Sequence, residues 1–177
     1  WKMMFHTEFG SINHALATVG ISPIDWLGSG DGVGFFVSNF TANLATNTWL
    51  GFPFMMVVSL GALQSIPSEL YEAASIDGAT RKQQFKMITL PLLKPALLPA
   101  VLLGSIWTFN MFNVVYLVSG GAPFDKTNIL ITEAFRYFNA DKDYGMAAAY
   151  SVIIFVILLG YSAVTNKVTK ATEGAIS

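Results

Sequence analysis

Three stretches of this chain carry no charged residue over lengths that match a bilayer. They lie between positions 31 and 69, between 94 and 125, and between 143 and 167. A spanning helix needs about 20 mostly apolar residues, and each window supplies them. Backbone polar groups cannot stay unpaired in lipid, so the windows read as helices rather than open strands. We place these helices at 39–64, 91–118 and 144–166. Buried helices of a soluble domain would need far more charged surface elsewhere. Only 12% of this chain is charged, against about 25% in soluble domains. The 53% hydrophobic content and the mean hydropathy of +0.53 point the same way.

Several function classes drop out. Cysteine is absent, which excludes disulfides and thiolate metal sites. His6 and His14 fall outside any metal-binding spacing and read as surface or loop residues, so no metal site is expected. A net charge of −1 offers no case for a nucleic-acid partner. No Gly-x-x-x-x-Gly-Lys phosphate loop is present, so the chain is expected to bind no nucleotide and to hold no catalytic residue. There is no internal repeat. The chain opens on Trp1, without an initiator methionine or a signal peptide, and reads as a fragment whose earlier helices lie elsewhere.

Lysine and arginine set the expected orientation. Arg81, Lys82, Lys86 and Lys94 follow the first window, and Lys167 and Lys170 follow the third. Lys2 alone precedes the first window. Lys126, Arg136 and Lys142 lie among Asp125, Glu133, Asp141 and Asp143. The positive-inside rule then puts the 65–90 loop and the 167–177 tail in the cytoplasm. Residues 1–38 become an external loop with a short helix at 12–19. Residues 119–143 become a second external loop. Its helix, at 127–139, carries Ile129, Leu130, Phe135, Tyr137 and Phe138 for a membrane surface rich in aromatics.

The 65–90 loop has local signals of its own. Ser68 reads as an N-cap, with Glu69 and Glu72 in the favoured first turn. Gly78 supplies a left-handed end to that helix, and 79–86 can form a second one. Leu90-Pro91 marks entry to the next span, because proline is tolerated in a first turn. Ala73, Ala74, Gly78 and Ala79 are small enough for a partner to approach closely. Glu72 caps a helix in water or meets a cationic partner.

Two spans hold polar groups. Asn43, Asn47, Leu50, Gly51 and Phe54 share one helical face of the first, with Pro53 as a kink candidate. Asparagines in a span need partners, so that face points into a bundle or a wet cavity. In the second span, Gly104, Trp107, Thr108 and Met111 share one face, and Asn110, Asn113 and Tyr116 an adjacent one. An aromatic ring beside amides and hydroxyls suits a sugar: the ring covers its C–H face and the polar groups take its hydroxyls. Ordinary helix–helix packing uses the same residue types and stays open as a reading.

Glu72-Ala73-Ala74, Gly78, Ile88 and Leu90-Pro91 resemble, at matching spacing, the coupling loop of permease subunits in binding-protein-dependent ABC importers. Residues 48–56, and 107–110 through 118–123, resemble the helices flanking that loop in the larger permease subunit of maltose-type importers. So do Phe9-Gly10, Ile12-Asn13 and Trp26, and the likeness covers nearly the whole chain. The resemblance implies an all-α membrane protein: a type I ABC importer permease core, its last three transmembrane helices with their cytoplasmic coupling helices. It implies ATPase coupling through Glu72, Ala73, Ala74, Asp77, Gly78 and Ala79. It implies a sugar path through Leu50, Gly51, Phe54, Gly104, Trp107, Thr108 and Met111, beside which Asn110 stands on the adjacent face. The implied partners are a dimeric cytoplasmic ATPase that carries ATP and Mg, a second permease, an external sugar-binding protein and inner-membrane lipid. Phe54 stands for a tyrosine, Trp107 for a phenylalanine, and Gly104, Thr108 and Met111 for a serine and two asparagines. These departures remove hydrogen-bonding groups and leave open which sugar is carried. The alternatives are a permease of the same superfamily for a non-sugar solute, such as an amino acid or phosphate, and a standalone membrane scaffold or channel.

Overall fold

The computed structural model describes residues 1–30 and 32–173, with the backbone alone for 168–173. Asp31 and most of the predicted tail, Lys170 included, lie outside the described side chains. Among the described residues every regular element is helical. The order is α1 (Ser11–Thr18), α2 (Val33–Gln64), α3 (Ser68–Ile76), α4 (Arg81–Gln84), α5 (Leu90–Phe109), α6 (Phe112–Val114), α7 (Leu130–Asn139) and α8 (Tyr144–Glu173). Two π-helical turns, Phe85–Thr89 and Val115–Ser119, follow α4 and α6. Among the described residues, three helical runs are long and apolar enough to cross a membrane: Val33–Gln64, Arg81–Phe109 and Tyr144–Lys167. Few residues of these runs are buried within the chain, as expected of surfaces that lipid or another subunit covers.

The chain divides into two compact units. One is Trp1–Leu50 with Thr108–Ile157, the other Gly51–Trp107 with Leu158–Ser177. In the first, Phe5, Ala42, Val114 and Val118 form a buried core flanked by Ile12, Trp26, Leu27 and Met111. Asn13 organises the N-terminal segment. Its amide nitrogen donates to the carbonyls of Thr7 (2.9 Å) and Ile24 (2.8 Å). Its oxygen accepts from Trp26 Nε1 at 2.9 Å and from the Ile24 N–H at 3.2 Å.

α2 begins at Val33, earlier than the predicted 39, because its first turns are tied to the preceding loop. Ser38 Oγ donates to the Asp25 carbonyl at 3.1 Å, and Asn39 Nδ2 to the Gly28 carbonyl at 2.9 Å. The helix continues through Pro53. The second predicted span, 91–118, is not one helix. α5 stops at Phe109, and the chain turns at Asn110 and Met111, where the Phe112 N–H donates to the Asn110 carbonyl at 2.7 Å. Met111 therefore lies beyond the helix whose face it was expected to share, and Asn110 falls outside the helical run that carries Asn113 and Tyr116.

α7 packs by its aromatic residues. Phe135 meets Phe112 and Tyr116 at ring-centroid distances of 4.8 and 5.2 Å, and Tyr137 stacks on Tyr150 at 5.5 Å. These rings, expected at a membrane surface, are engaged by protein. The polar side carries Arg136, paired with Glu133 at 2.8 Å and Asp125 at 3.2 Å. The Glu133 carboxylate, foremost, raises the pKa of that exposed guanidinium. His6 and His14 are exposed; His6 Nδ1 accepts from the N–H groups of Glu8 and Phe9.

Candidate functional site

The loop after α2 is built by hydrogen bonds within a few residues of each other. Pro67 occupies the N-cap of α3, so Ser68 is the first helical residue and not the cap. The C-terminus closes as a Schellman motif. Gly78 takes φ +81°, its N–H donates to the Ser75 carbonyl (3.1 Å), and the Ala79 N–H donates to the Ala74 carbonyl (2.9 Å). A Cβ on Gly78 would meet no atom within 4 Å, so the demand for glycine comes from the backbone angle alone. Thr80 then caps α4 through a capping box. Its Oγ1 accepts from the Gln83 N–H at 3.4 Å, and Gln83 Oε1 accepts from the Thr80 N–H at 2.8 Å. The Thr-x-x-Gln spacing at 80–83 is the sequence signal for that box.

Glu72, Ala73, Asp77 and Gly78 are exposed, whereas Ala74 and Ala79 are half-buried. Ile76, absent from the predicted set, is 87% exposed at the last turn of α3. A branched apolar side chain standing in the open beside two acids is a natural anchor for a partner's groove.

The predicted path residues fall in both units. In the first, Thr108 and Met111 line a cavity of about 190 Å³ together with Asn43, Asn47, Phe40 and Thr127. No charged residue lines it. Asn43 Nδ2 donates to Ser119 Oγ at 2.9 Å, and Asn47 Nδ2 to Thr108 Oγ1 at 3.4 Å. Those bonds leave the two amide oxygens as acceptors, and both are buried without a donor, as is that of Asn39. An unsatisfied buried acceptor costs about 1–3 kcal/mol. The broken helix at Asn110 and Met111 opens onto the same region; irregular backbone at membrane depth is tolerated where it lines a cavity or is buried in protein. Leu50 and Met111 line a second cavity, of about 400 Å³, with Thr46 and Trp1.

In the second unit, Phe54 and Trp107 pack ring to ring, 5.3 Å between centroids at 53°. Trp107 is 52% exposed, so Phe54 covers only part of its surface within this chain. Gly51 and Gly104 have open space where a side chain would stand, which lets a ligand approach the backbone. Among the described residues no group of three or more His, Cys, Asp or Glu is placed to hold a metal.

Comparison with known proteins adds an independent line. Residues 15–172 match the family described as binding-protein-dependent transport system inner membrane component. The trehalose/maltose transport system permease protein MalF of Thermococcus litoralis is 40% identical over 168 residues, covering 95% of this chain and 55% of that protein. The galactooligosaccharides transport system permease protein GanP of Bacillus subtilis is 34% identical, covering 95% of this chain and 40% of that protein. This chain thus spans about half the length of the curated relatives it matches. In fold it superposes on a chain of a bacterial ABC transporter that imports the acidic polysaccharide alginate. The TM-score is 0.80 at 23% identity, over 96% of this chain and 57% of that one.

Proposed function

This chain belongs to the family of binding-protein-dependent transport system inner membrane components, and from that premise we propose that it forms part of the permease subunit of an ATP-driven importer of sugars. The proposed solute is maltose, trehalose or a related oligosaccharide. The observation that carries this reading is the uncharged cavity in which Asn43 and Asn47 hold amide oxygens without donors. Sugar hydroxyls are donors of the right kind. Relatives named for maltose, trehalose and galactooligosaccharide transport support the choice over an amino acid or phosphate, which would call for charge in the path. Membership in a permease family favours transport over a standalone scaffold or channel.

The exposed α3 with its Gly78 turn is the proposed dock for a separate cytoplasmic ATPase. Glu72, Ala73, Asp77 and Gly78 face that partner, Ile76 anchors it, and Ala74 and Ala79 support the turn from behind. ATP and Mg stay on the ATPase dimer. A second permease completes the path, and an external binding protein delivers the sugar. The loop and the C-terminus lie in the cytoplasm.

Cysteine labelling tests the orientation. A cysteine at Lys82 is expected to react with an impermeant thiol reagent only after cells are opened, and one at Asp125 in intact spheroplasts. The reverse pattern sinks the coupling assignment. Co-purification of the full-length subunit with its neighbours, followed by a sugar panel on the binding protein, tests the solute. Preference for a charged amino acid in that panel would overturn the sugar reading.

A further inference from the structure

Two contacts brace the loop, and the side chains that make them, Gln84, Ser75, Tyr71 and Thr89, are none of those assigned to docking. The Gln84 amide nitrogen donates to Ser75 Oγ at 2.8 Å. It also lies 3.3 Å from the Ala79 carbonyl oxygen and 3.5 Å from that of Tyr71. Ser75 Oγ itself donates to the Tyr71 carbonyl at 2.7 Å. One side chain from α4 thus reaches back across the Gly78 turn to the last turns of α3. The second contact runs from α3 to the foot of α5. Tyr71 Oη and Thr89 Oγ1 share a hydrogen bond of 2.8 Å. Thr89 is 7% exposed and ends the π-helical turn Phe85–Thr89, which continues directly into α5. Such turns are rare and cluster at functional sites.

The mechanical consequence follows from length. Nine residues make α3 too short to keep its own pose in water. Joined only through Gly78 and the link at 65–67, it would swivel under a push. A partner's motion would then be spent on rotating α3 rather than on moving the spans. We propose that Gln84 and the Tyr71–Thr89 pair form a clasp that makes α3 and the foot of α5 move as one body, so that force applied at α3 reaches the membrane helices. Gln84 and Tyr71 are positioning residues; they lie behind the docking face and act through it. This inference rests on the coupling reading above.

The test uses the full-length subunit assembled with its ATPase and second permease in proteoliposomes, with the binding protein and maltose or trehalose supplied. The readouts are complex yield and the number of ATP hydrolysed per sugar imported. Gln84→Leu keeps the bulk and removes the donor; Tyr71→Phe removes one hydroxyl. Each is expected to raise ATP used per sugar severalfold at unchanged yield, and the double variant to uncouple the two almost fully. Gln84→Lys, which restores N–H donors, is expected to recover most of the coupling lost in Gln84→Leu. A purely space-filling role predicts a normal ratio in Gln84→Leu, and that result overturns the clasp. Should the double variant fail to assemble, Tyr71→Phe alone decides, since loss of one hydroxyl leaves the packing intact: a wild-type ratio there rejects the proposal. Gly78→Val is measured alongside. Normal coupling in Gly78→Val removes the coupling reading itself, whereas an uncoupled Gly78→Val beside normal clasp variants removes the clasp alone.

Discussion

The loop at 65–90 and the polar face of α2 treat their polar groups in opposite ways. In the loop, the Gly78 turn, the Thr80 capping box and the Gln84 amide pair one group after another within about ten residues of sequence. On the α2 face, Asn43 and Asn47, which line the cavity, each keep one buried oxygen without a donor. Asn13 shows that this chain can fully satisfy a buried amide where structure is the purpose. A satisfied network holds a shape. An unsatisfied one, next to a cavity, holds a place for something else. The first suits an element pushed by a partner, and the second an element that a solute passes.

The sharpest break in this contrast comes from Gly78→Val. A residue with a Cβ pays about 1–2 kcal/mol in the left-handed region, and a β-branched one is the least tolerant. The last turn of α3 is expected to reopen and sugar uptake to collapse, with sugar binding by the external protein unchanged. Uptake at the wild-type rate would show that the turn is not what transmits motion.

Trp107→Ala comes next. Truncating a fully buried aromatic costs about 3–5 kcal/mol, and the half-exposed Trp107 falls below that range. Complex yield and ligand-free ATPase activity should survive while uptake falls steeply. Normal uptake in an intact complex would make Trp107 a packing partner of Phe54 and nothing more.

Asn47→Leu separates the two kinds of polar group. Removing an amide whose oxygen lacks a donor relieves a penalty of about 1–3 kcal/mol, so thermal stability of the purified complex should hold or rise. Sugar uptake should drop. Asn13→Leu is the mirror image, with stability lost because Thr7, Ile24 and Trp26 are left unpaired. If Asn47→Leu lowers stability as Asn13→Leu does, the α2 face is structural like the N-terminal segment.

Phe54→Tyr is the smallest change. It adds a hydroxyl beside Trp107 and should shift the ratio of maltose to trehalose uptake without altering yield or coupling. An unchanged ratio would place Phe54 outside the path.

Legibility follows the range of the interactions. The three spans announce themselves because absence of charge over a bilayer's length is a local property. α8 starts at Tyr144, the first residue after Asp143. Gly78 is legible because a Schellman turn is written in a handful of consecutive residues. The early start of α2 is different. It depends on Ser38 and Asn39 reaching the Asp25 and Gly28 carbonyls, a loop conformation that no periodicity encodes. The break at Asn110 and Met111 carries neither glycine nor proline, so nothing local marks it. Ile76 reads as one more apolar helix residue until its exposure is known.

The sequence by itself determined class and loop: a helical membrane chain of known family, with a glycine-ended turn between two spans. Lipid enforces the first, since uncharged length and internally paired backbone leave little choice. Backbone sterics enforce the second, since φ near +80° selects glycine. Tertiary structure decided the rest. It set Asn43 and Asn47 around one cavity with Thr108, put Trp107 against Phe54, and carried Gln84 and Tyr71 to the partners that brace α3. Those pairings depend on where separate helices meet in space, and a side chain's type says only that it needs a partner, not which one it will find.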